Sequence, residues 1–231
     1  MILPDQEVRP ILARLRRQLG ADAGGTVMLV AARSGEGVST LSASLALRAA
    51  EEARRPVWLL DLDLGANRMF ERFSGGELAR RLGPLGPPYS AALRTDPPFR
   101  LSPEPSHPPA GAFTAHRVGD TRLMVTRFDH GVLEPGVIVR VCPRPAYWEA
   151  VRAATDFTVV DAPALETSDA SLVVARDVDA CLIVVQADRT DARMVKLAAS
   201  RLREAGGRVL GAVLNRRRED AARADRLTFR G

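Results

Sequence analysis

The sharpest chemical pattern in the sequence is a glycine-containing loop, residues 31–40, between an apolar run and a helical pattern. Glycines let backbone N–H groups approach a phosphate closely, and the first turn of the following helix adds a favourable dipole. A hydroxyl just after such a loop can hold Mg²⁺, and Ser39 has that position. The loop predicts a nucleotide-phosphate site formed by Arg33, Ser34, Gly35, Glu36, Gly37, Val38, Ser39 and Thr40.

Val38 is the main departure from the usual form of this loop, in which a lysine directly precedes the serine or threonine. That lysine places a point charge on the transferring phosphate, so its loss is expected to impair nucleotide binding and phosphoryl transfer. The chain has 33 Lys and Arg residues, and Lys196 is its single lysine. The loop therefore has no lysine to offer a phosphate.

Carboxylates at the ends of two apolar runs form the second chemical pattern: Asp61 and Asp63 follow one run and Asp161 the other. Ligands of open α/β sheets bind at the carboxyl ends of the strands. We expect Asp61 and Asp161 to hold Mg²⁺ together with Ser39, because hard oxygen ligands suit this cation. If the protein turns over nucleotide, Asp61 and Asp63 are the candidate catalytic residues, with Asp63 activating the attacking water or hydroxyl.

The elements that must position these residues are visible as apolar runs separated by helical patterns. The runs are continuously apolar rather than alternating, which is typical of parallel strands buried on both faces. The fold class predicted is α/β, a doubly wound, mostly parallel sheet with helices on both faces, as in P-loop NTPases. The five runs are 26–31, 56–61, 157–161, 180–185 and 209–214.

The 231 residues fit one domain, 1–231, with an N-terminal helix at 7–19. Nine of the 16 prolines fall within 82–110, so we expect a surface excursion at about 82–118 that lacks helices and central strands. Two further strands are expected at 121–126 and 136–141, with a turn between them.

Composition excludes several function classes. Two cysteines exclude a disulfide scaffold, and no apolar stretch reaches the roughly 20 residues of a membrane span. The N-terminus has no signal-peptide pattern. A net charge of +5 spread over 231 residues does not favour a nucleic-acid partner. The spacing of His107, His116 and His130 does not fit zinc, and surface positions are expected for them.

Together these motifs resemble the deviant Walker-type P-loop ATPases of the MinD/ParA superfamily. The closest resemblance is to bacterial tyrosine kinases, cytoplasmic ATPases that work with capsule and exopolysaccharide co-polymerases. Residues 35–46 resemble that family's phosphate loop and helix, 59–64 its Asp-x-Asp motif, and 160–164 its Walker B motif. The resemblance covers about 26–64 and 157–215, and the middle third fits poorly.

The resemblance implies ATP or ADP with Mg²⁺ as ligands. It aligns Arg33 with a signature lysine of the superfamily, so Arg33 either binds phosphate or is an ordinary exposed arginine. It also makes Asn215 a candidate contact for adenine. The implied partner is a membrane-embedded polysaccharide co-polymerase or chain-length regulator, at the inner face of a bacterial plasma membrane, and a homo-oligomer is possible.

Several departures from the family lead us to expect a catalytically impaired, pseudokinase-like regulator. The loop lysine is replaced, the chain's tyrosines are Tyr89 and Tyr147 rather than a tail cluster, and Arg16 alone matches the family's oligomerisation motif. Two alternatives stay open: a MinD/ParA-like positioning or partitioning ATPase, and a small-molecule enzyme on the same scaffold. The basic run 216–218 is expected to be a solvated face.

Overall fold

A computed structural model describes residues 2–20, 24–105, 109, 111–187 and 189–215 of the chain. The helices in these residues are α1 (Asp5–Leu19), α2 (Val38–Glu52), α3 (Arg68–Ser74), α4 (Gly76–Leu82), α5 (Pro145–Ala154), α6 (Ala170–Val174) and α7 (Ala192–Glu204). The strands are β1 (Gly25–Ala31), β2 (Val57–Asp61), β3 (Leu85–Ser90), β4 (Phe99–Ser102), β5 (Phe113–Val118), β6 (Leu123–Phe128), β7 (Ile138–Val141), β8 (Phe157–Asp161), β9 (Ala180–Gln186) and β10 (Val209–Asn215).

The main sheet has eight strands in the order β10-β9-β1-β8-β2-β6-β5-β3. The pairings from β10 to β6 are all parallel, and β5 and β3 extend the sheet with antiparallel pairings. The continuous apolar runs therefore became the parallel strands, as expected for strands covered on both faces. The predicted doubly wound, mostly parallel α/β sheet is confirmed.

Two hydrophobic clusters cover the two faces of this sheet. Alternate side chains of β1 separate between them: Val27 and Leu29 pack with α1 to α4, while Met28 and Val30 pack with α5 to α7. This separation follows from the two-residue repeat of a strand. The carboxyl ends of β1, β2 and β8 consequently form a rigid edge, on which the phosphate loop and the Asp-ended strands lie side by side.

The predicted N-terminal helix at 7–19 is present as α1. It packs on α2 with Val8, Leu12 and Leu15 buried, and this places it on the same face of the sheet as the helix that follows the phosphate loop. Arg16 of α1 is ion-paired with Glu52 of α2. No helix within the described ranges is long and apolar enough to cross a membrane.

The surface excursion predicted at about 82–118 was expected to lack helices and central strands, and β5 contradicts this because it pairs on both of its sides. Leu85–Ser90 forms β3, and its two prolines are tolerated because β3 is the edge strand of the main sheet. Phe99–Ser102 forms β4, which pairs with β7 in a separate two-stranded antiparallel sheet. Phe113–Val118 forms β5, which pairs with both β3 and β6.

The expected strand at 136–141 exists as β7, and it pairs with β4. The turn expected between β6 and β7 contains a short 3₁₀ helix at His130–Val132, which the Asp129 side chain caps by accepting a hydrogen bond from Gly131. His116 is buried on β5, which corrects the expected surface position. His107 and the basic run 216–218 lie outside the described residues.

Candidate functional site

The phosphate loop connects β1 to α2, and two of its glycines have left-handed backbone angles. Gly35 has φ of 83° and Gly37 has φ of 96°. A Cβ atom at Gly37 would lie 1.9 Å from Asn215 Nδ2, so a side chain there would collide as well as strain the backbone. The loop geometry therefore requires glycine at this position.

Two buried side chains, Glu36 within the loop and Asn215 outside it, hold the loop in place. The Glu36 side chain accepts hydrogen bonds from the Thr190 hydroxyl and from the Arg33 backbone N–H, the latter at 3.3 Å. Asn215 Nδ2 donates to the Glu36 carbonyl oxygen at 2.9 Å. These contacts join the loop to β10 and to the segment before α7. The adenine contact of Asn215 stays a prediction.

The three residues predicted to hold Mg²⁺ lie together at the sheet edge. Ser39 Oγ donates to Asp161 Oδ2 at 2.8 Å, and Ser42 Oγ donates to Oδ1 of the same carboxylate at 2.8 Å. Asp61 and Asp161 are register partners on adjacent strands β2 and β8. The Asp61 carboxylate accepts hydrogen bonds from the backbone N–H groups of Asp63, at 2.9 Å, and of Met69, at 3.1 Å.

Burial gives these carboxyl groups an unusual electrostatic state. Burial and the neighbouring Asp161 carboxylate raise the pKa of Asp61 above its usual range. Burial also raises the pKa of Asp161, although hydrogen bonds from Ser42 and Ser39 oppose this rise. A bound cation would stabilise both carboxylates, because its positive charge compensates for the hydration that they lose on burial.

The donor set fits Mg²⁺. It consists of the Ser39 hydroxyl and the carboxylates of Asp61 and Asp161, and Mg²⁺ is usually bound by one or two carboxylates, with water and phosphate oxygens completing its shell. No group of three or more His, Cys, Asp and Glu residues suited to a metal occurs among the residues that the structure describes.

A cavity of about 850 Å³ opens in front of the loop. Loop residues 33–40, residues 61–65 and residues 161–164 line this cavity, and they include Ser39, Asp61 and Asp161, which are predicted to hold Mg²⁺. Asp63 lines this cavity, and its Oδ2 lies 3.7 Å from Arg68 Nε. The predicted role of Asp63 in activating water or a hydroxyl stays a prediction. The cavity is large enough for a nucleotide.

Glu166 is a site residue that sequence reasoning missed. Its carboxylate accepts a hydrogen bond from the Ser34 backbone N–H at 2.6 Å and lies 3.6 Å from Arg33 Nε. The hydrogen bond from Ser34 N–H lowers the pKa of Glu166. The Glu166 carboxylate thus accepts a hydrogen bond from the Ser34 N–H group, which is one of the donors that a bound phosphate would use. Glu166 lies five residues after Asp161, outside the Walker B motif, and no sequence pattern there indicates a contact with the loop.

Arg72 contacts the last residue of the loop, and Val38 packs into the core. Arg72 Nη2 on α3 donates to Thr40 Oγ1 at 3.3 Å, and burial lowers the pKa of this half-buried guanidinium. Arg72 lies outside every motif of the sequence. Val38 is buried and packs in the core on the α1–α2 side of the sheet. The residue in the lysine position is therefore part of the hydrophobic core.

Comparison with known proteins supports a kinase-like relationship over part of the chain. No protein-family profile matches the chain. CapB of Staphylococcus aureus, which is named as a tyrosine-protein kinase, is 44% identical over 61 residues, which cover 26% of this chain and 27% of CapB. The chain thus aligns with only about a quarter of the length of this curated relative.

Solved structures show the same fold over most of the chain. The kinase domain of the Escherichia coli tyrosine kinase ETK has a TM-score of 0.63 at 19% identity, and the match covers 91% of this chain and 74% of that one. MinD in the MinC:MinD complex of Aquifex aeolicus has a TM-score of 0.55 at 17% identity, covering 87% and 72%.

A nucleotide-binding protein of Archaeoglobus fulgidus in complex with ADP has a TM-score of 0.50 at 18% identity, covering 92% of this chain and 71% of that one. Kinase domains, MinD and this ADP-binding protein thus share one architecture with the chain. The predicted resemblance is confirmed at the level of the fold: the chain has the fold that the ETK kinase domain and MinD share, and 61 of its residues align with CapB.

Proposed function

We propose that the protein binds ATP or ADP with Mg²⁺ at the phosphate loop and acts as a regulatory, tyrosine-kinase-like protein whose phosphoryl transfer is impaired. The observation that carries this proposal is the Ser39–Asp161–Asp61 cluster beneath the loop. Its hydroxyl and carboxylates retain the donors that P-loop proteins use for Mg²⁺. The fold shared with an ADP-bound protein supports nucleotide binding.

Within this proposal each part of the site has a defined task. The backbone N–H groups of the loop and the first turn of α2 bind phosphate oxygens. Ser39, Asp61 and Asp161 hold Mg²⁺, which neutralises charge on the phosphates. Asp63 orients the attacking group. A phosphate that enters the loop displaces the Glu166 carboxylate from the Ser34 N–H, since both are acceptors for the same donor.

The impairment follows from Val38. Because its side chain packs in the core, the lysine position of the loop presents no cation to the transferring phosphate. Loss of such a charge lowers the rate of phosphoryl transfer more than it lowers binding when other groups hold the nucleotide. The sequence also has few acceptors for a tyrosine kinase, since Tyr147 is fully buried and Tyr89 is the exposed one of its two tyrosines.

The partner in this proposal is a membrane-embedded polysaccharide co-polymerase or chain-length regulator of capsule or exopolysaccharide biosynthesis, bound at the inner face of the plasma membrane. The sequence identity with CapB and the fold of ETK support it. In the MinC:MinD complex, MinD is a protein of this fold that assembles with a partner, MinC. A positioning ATPase of the MinD/ParA type is the alternative, and the shared fold is equally compatible with it.

A turnover assay tests the proposal. We expect the wild-type protein to bind Mg-ATP but to release phosphate slowly, and Val38→Lys to raise the rate by about tenfold or more. Phosphotyrosine at Tyr89 is measured in parallel, with Tyr89→Phe as control. Absence of nucleotide binding in the wild type would overturn the site itself. Turnover in the wild type as fast as in Val38→Lys would overturn the impairment.

A further inference from the structure

The two-stranded sheet of β4 and β7 brings two arginines to the nucleotide cavity. Arg100 on β4 and Arg140 on β7 are register partners in this antiparallel pair. Both residues are exposed, and both line the cavity that loop residues 33–40 also line. Arg100, from the proline-rich segment, and Arg140, from the strand that pairs with it, thus both contribute to the lining of the candidate site.

Four arginines line the cavity, and they differ in whether a carboxylate balances their charge. Arg33 and Arg68 each have a guanidinium Nε near a carboxylate oxygen, at 3.6 Å and 3.7 Å. Arg100 and Arg140 form no ion pair with the carboxylates of residues 2–20, 24–105, 111–187 or 189–215. Their positive charge is therefore available to an anionic ligand in the cavity.

The placement of these two arginines is unfavourable without such a ligand. Like charges directly opposite each other on antiparallel strands repel and destabilise the pair. The hydrophobic neighbours of Arg100 and Arg140 on the same strands pack against the core, so the small sheet is held where it is by other contacts. An anion between the two guanidinium groups would convert the repulsion into two charge-assisted hydrogen-bonding interactions.

We propose that Arg100 and Arg140 bind the phosphate oxygens of the nucleotide and supply, from the β4–β7 wall, the positive charge that Val38 does not supply. This inference rests on the proposed nucleotide site. Arginine suits the task because its planar guanidinium binds phosphate oxygens through two parallel N–H donors. The two arginines do not replace the contact that a loop lysine makes with the transferring phosphate. Nucleotide binding is therefore retained while phosphoryl transfer stays impaired.

The contribution of this pair depends on how many phosphates the ligand carries. The loop amides and Mg²⁺ would bind the phosphates at the sheet edge, whereas Arg100 and Arg140 would bind them from the opposite side of the cavity. The two arginines therefore favour ligands with a longer phosphate chain. We expect them to strengthen binding most for ATP, less for ADP, and least for AMP. Their contribution weakens as ionic strength rises, because both side chains are exposed.

Calorimetric titration of the full chain with Mg-ATP, Mg-ADP and AMP tests this inference. The test variant is Arg100→Gln/Arg140→Gln. The matched control is Arg54→Gln/Arg122→Gln, which removes the same charge from two exposed arginines that do not line this cavity. We expect the test variant to bind Mg-ATP about tenfold or more weakly and the control to bind as the wild type does. Thermal unfolding checks that each variant is folded.

The two proposals fail in distinguishable ways. If the wild type binds no nucleotide, the proposed site is overturned. If the wild type binds Mg-ATP and the test variant binds equally well, the site stands and the role of Arg100 and Arg140 is overturned. An equal loss in the control variant also overturns it, because net charge alone then explains the effect.

Discussion

Two adjacent carboxyl groups dominate the chemistry of the site at the scale of single residues. Asp61 and Asp161 are both buried at the ends of neighbouring strands, and hydrogen bonds from backbone N–H groups and serine hydroxyls only partly offset the cost of burying their charge. A divalent cation is the group that best stabilises such a pair. Burial raises the pKa of both carboxyl groups, and this supports the proposal that they hold Mg²⁺.

We expect the Mg²⁺ affinity of the protein to rise with pH between about 5 and 8. Because the pKa of Asp61 and of Asp161 is raised, protons still occupy these groups at weakly acidic pH, and Mg²⁺ must displace them. Calorimetry in buffers of different ionisation enthalpy measures the protons released. Asp161→Asn is expected to flatten the pH dependence, and a pH-independent affinity in the wild type would contradict the account.

The stability of the metal-free protein depends on pH in the opposite sense. The folded state holds these protons more tightly than the unfolded state, so protonation of Asp61 and Asp161 favours folding at low pH. This contribution is lost as the pH rises from the ordinary carboxyl range through the raised pKa values. Saturating Mg²⁺ is expected to reduce the loss, since it binds the folded carboxylates.

Residues with a motif around them could be predicted from the sequence, and residues without one could not. Ser39 and Asp161 were identified because a loop and a strand end fix their positions, and the structure joins them by a hydrogen bond. Glu166, Arg100 and Arg140 were missed because only tertiary folding brings them to the loop. A short loop pattern has no information about residues that arrive from more than 60 positions away.

At the scale of elements, the phosphate loop is held by its neighbours as much as by its own glycines. Glu36 links it to the segment before α7, and Asn215 at the end of β10 links it to the sheet. Gly37 lies against Asn215 so closely that a single added carbon would displace the amide. The loop conformation is thus part of the packing of the sheet edge.

We expect Gly37→Ala to destabilise the protein more than Gly35→Ala. Both glycines have positive φ, so each alanine costs about 1–2 kcal/mol of backbone strain. At Gly35 the nearest atom is Arg189 Nη1 at 3.9 Å, whereas at Gly37 the added Cβ breaks the bond from Asn215 to Glu36, which costs about 1 kcal/mol more. Urea unfolding measures both variants, and equal free energies of unfolding would contradict the bracing role of Asn215.

The parallel strands could be predicted because burial on both faces leaves a continuous apolar run, as in 157–161, where the predicted and observed bounds agree. The β3 and β4 strands could not, because prolines lie within β3 and directly flank β4. They form because β3 needs hydrogen bonds on one side only and β4 pairs with β7. The sequence did not predict the partner of β7, because strand polarity patterns do not specify which strand lies alongside.

At the scale of the whole molecule, the two hydrophobic clusters hold the sheet rigid, and the larger aromatic side chains lie on the α5–α7 side. Tyr147 and Trp148 on α5 are fully buried there. Among the described residues, the Tyr147 hydroxyl has no hydrogen-bond partner, so a polar group is buried without compensation.

We expect Tyr147→Phe to leave the free energy of unfolding unchanged or to raise it by about 1 kcal/mol, because it removes an unpaired buried hydroxyl and keeps the ring. Tyr147→Ala, in contrast, should lower it by about 3–5 kcal/mol by creating a cavity. Urea unfolding of both variants checks this. A loss of more than about 1 kcal/mol in Tyr147→Phe would show that the hydroxyl has a partner.

The central claim is that a P-loop protein without its loop lysine still binds a nucleotide through Mg²⁺. Calorimetric titration of ATP with and without Mg²⁺, on the wild type and on Asp161→Asn, tests it most directly. We expect Mg²⁺ to strengthen ATP binding by about tenfold or more in the wild type and to have little effect in the variant. The absence of ATP binding in the wild type, or an equal effect of Mg²⁺ in both proteins, would contradict the claim.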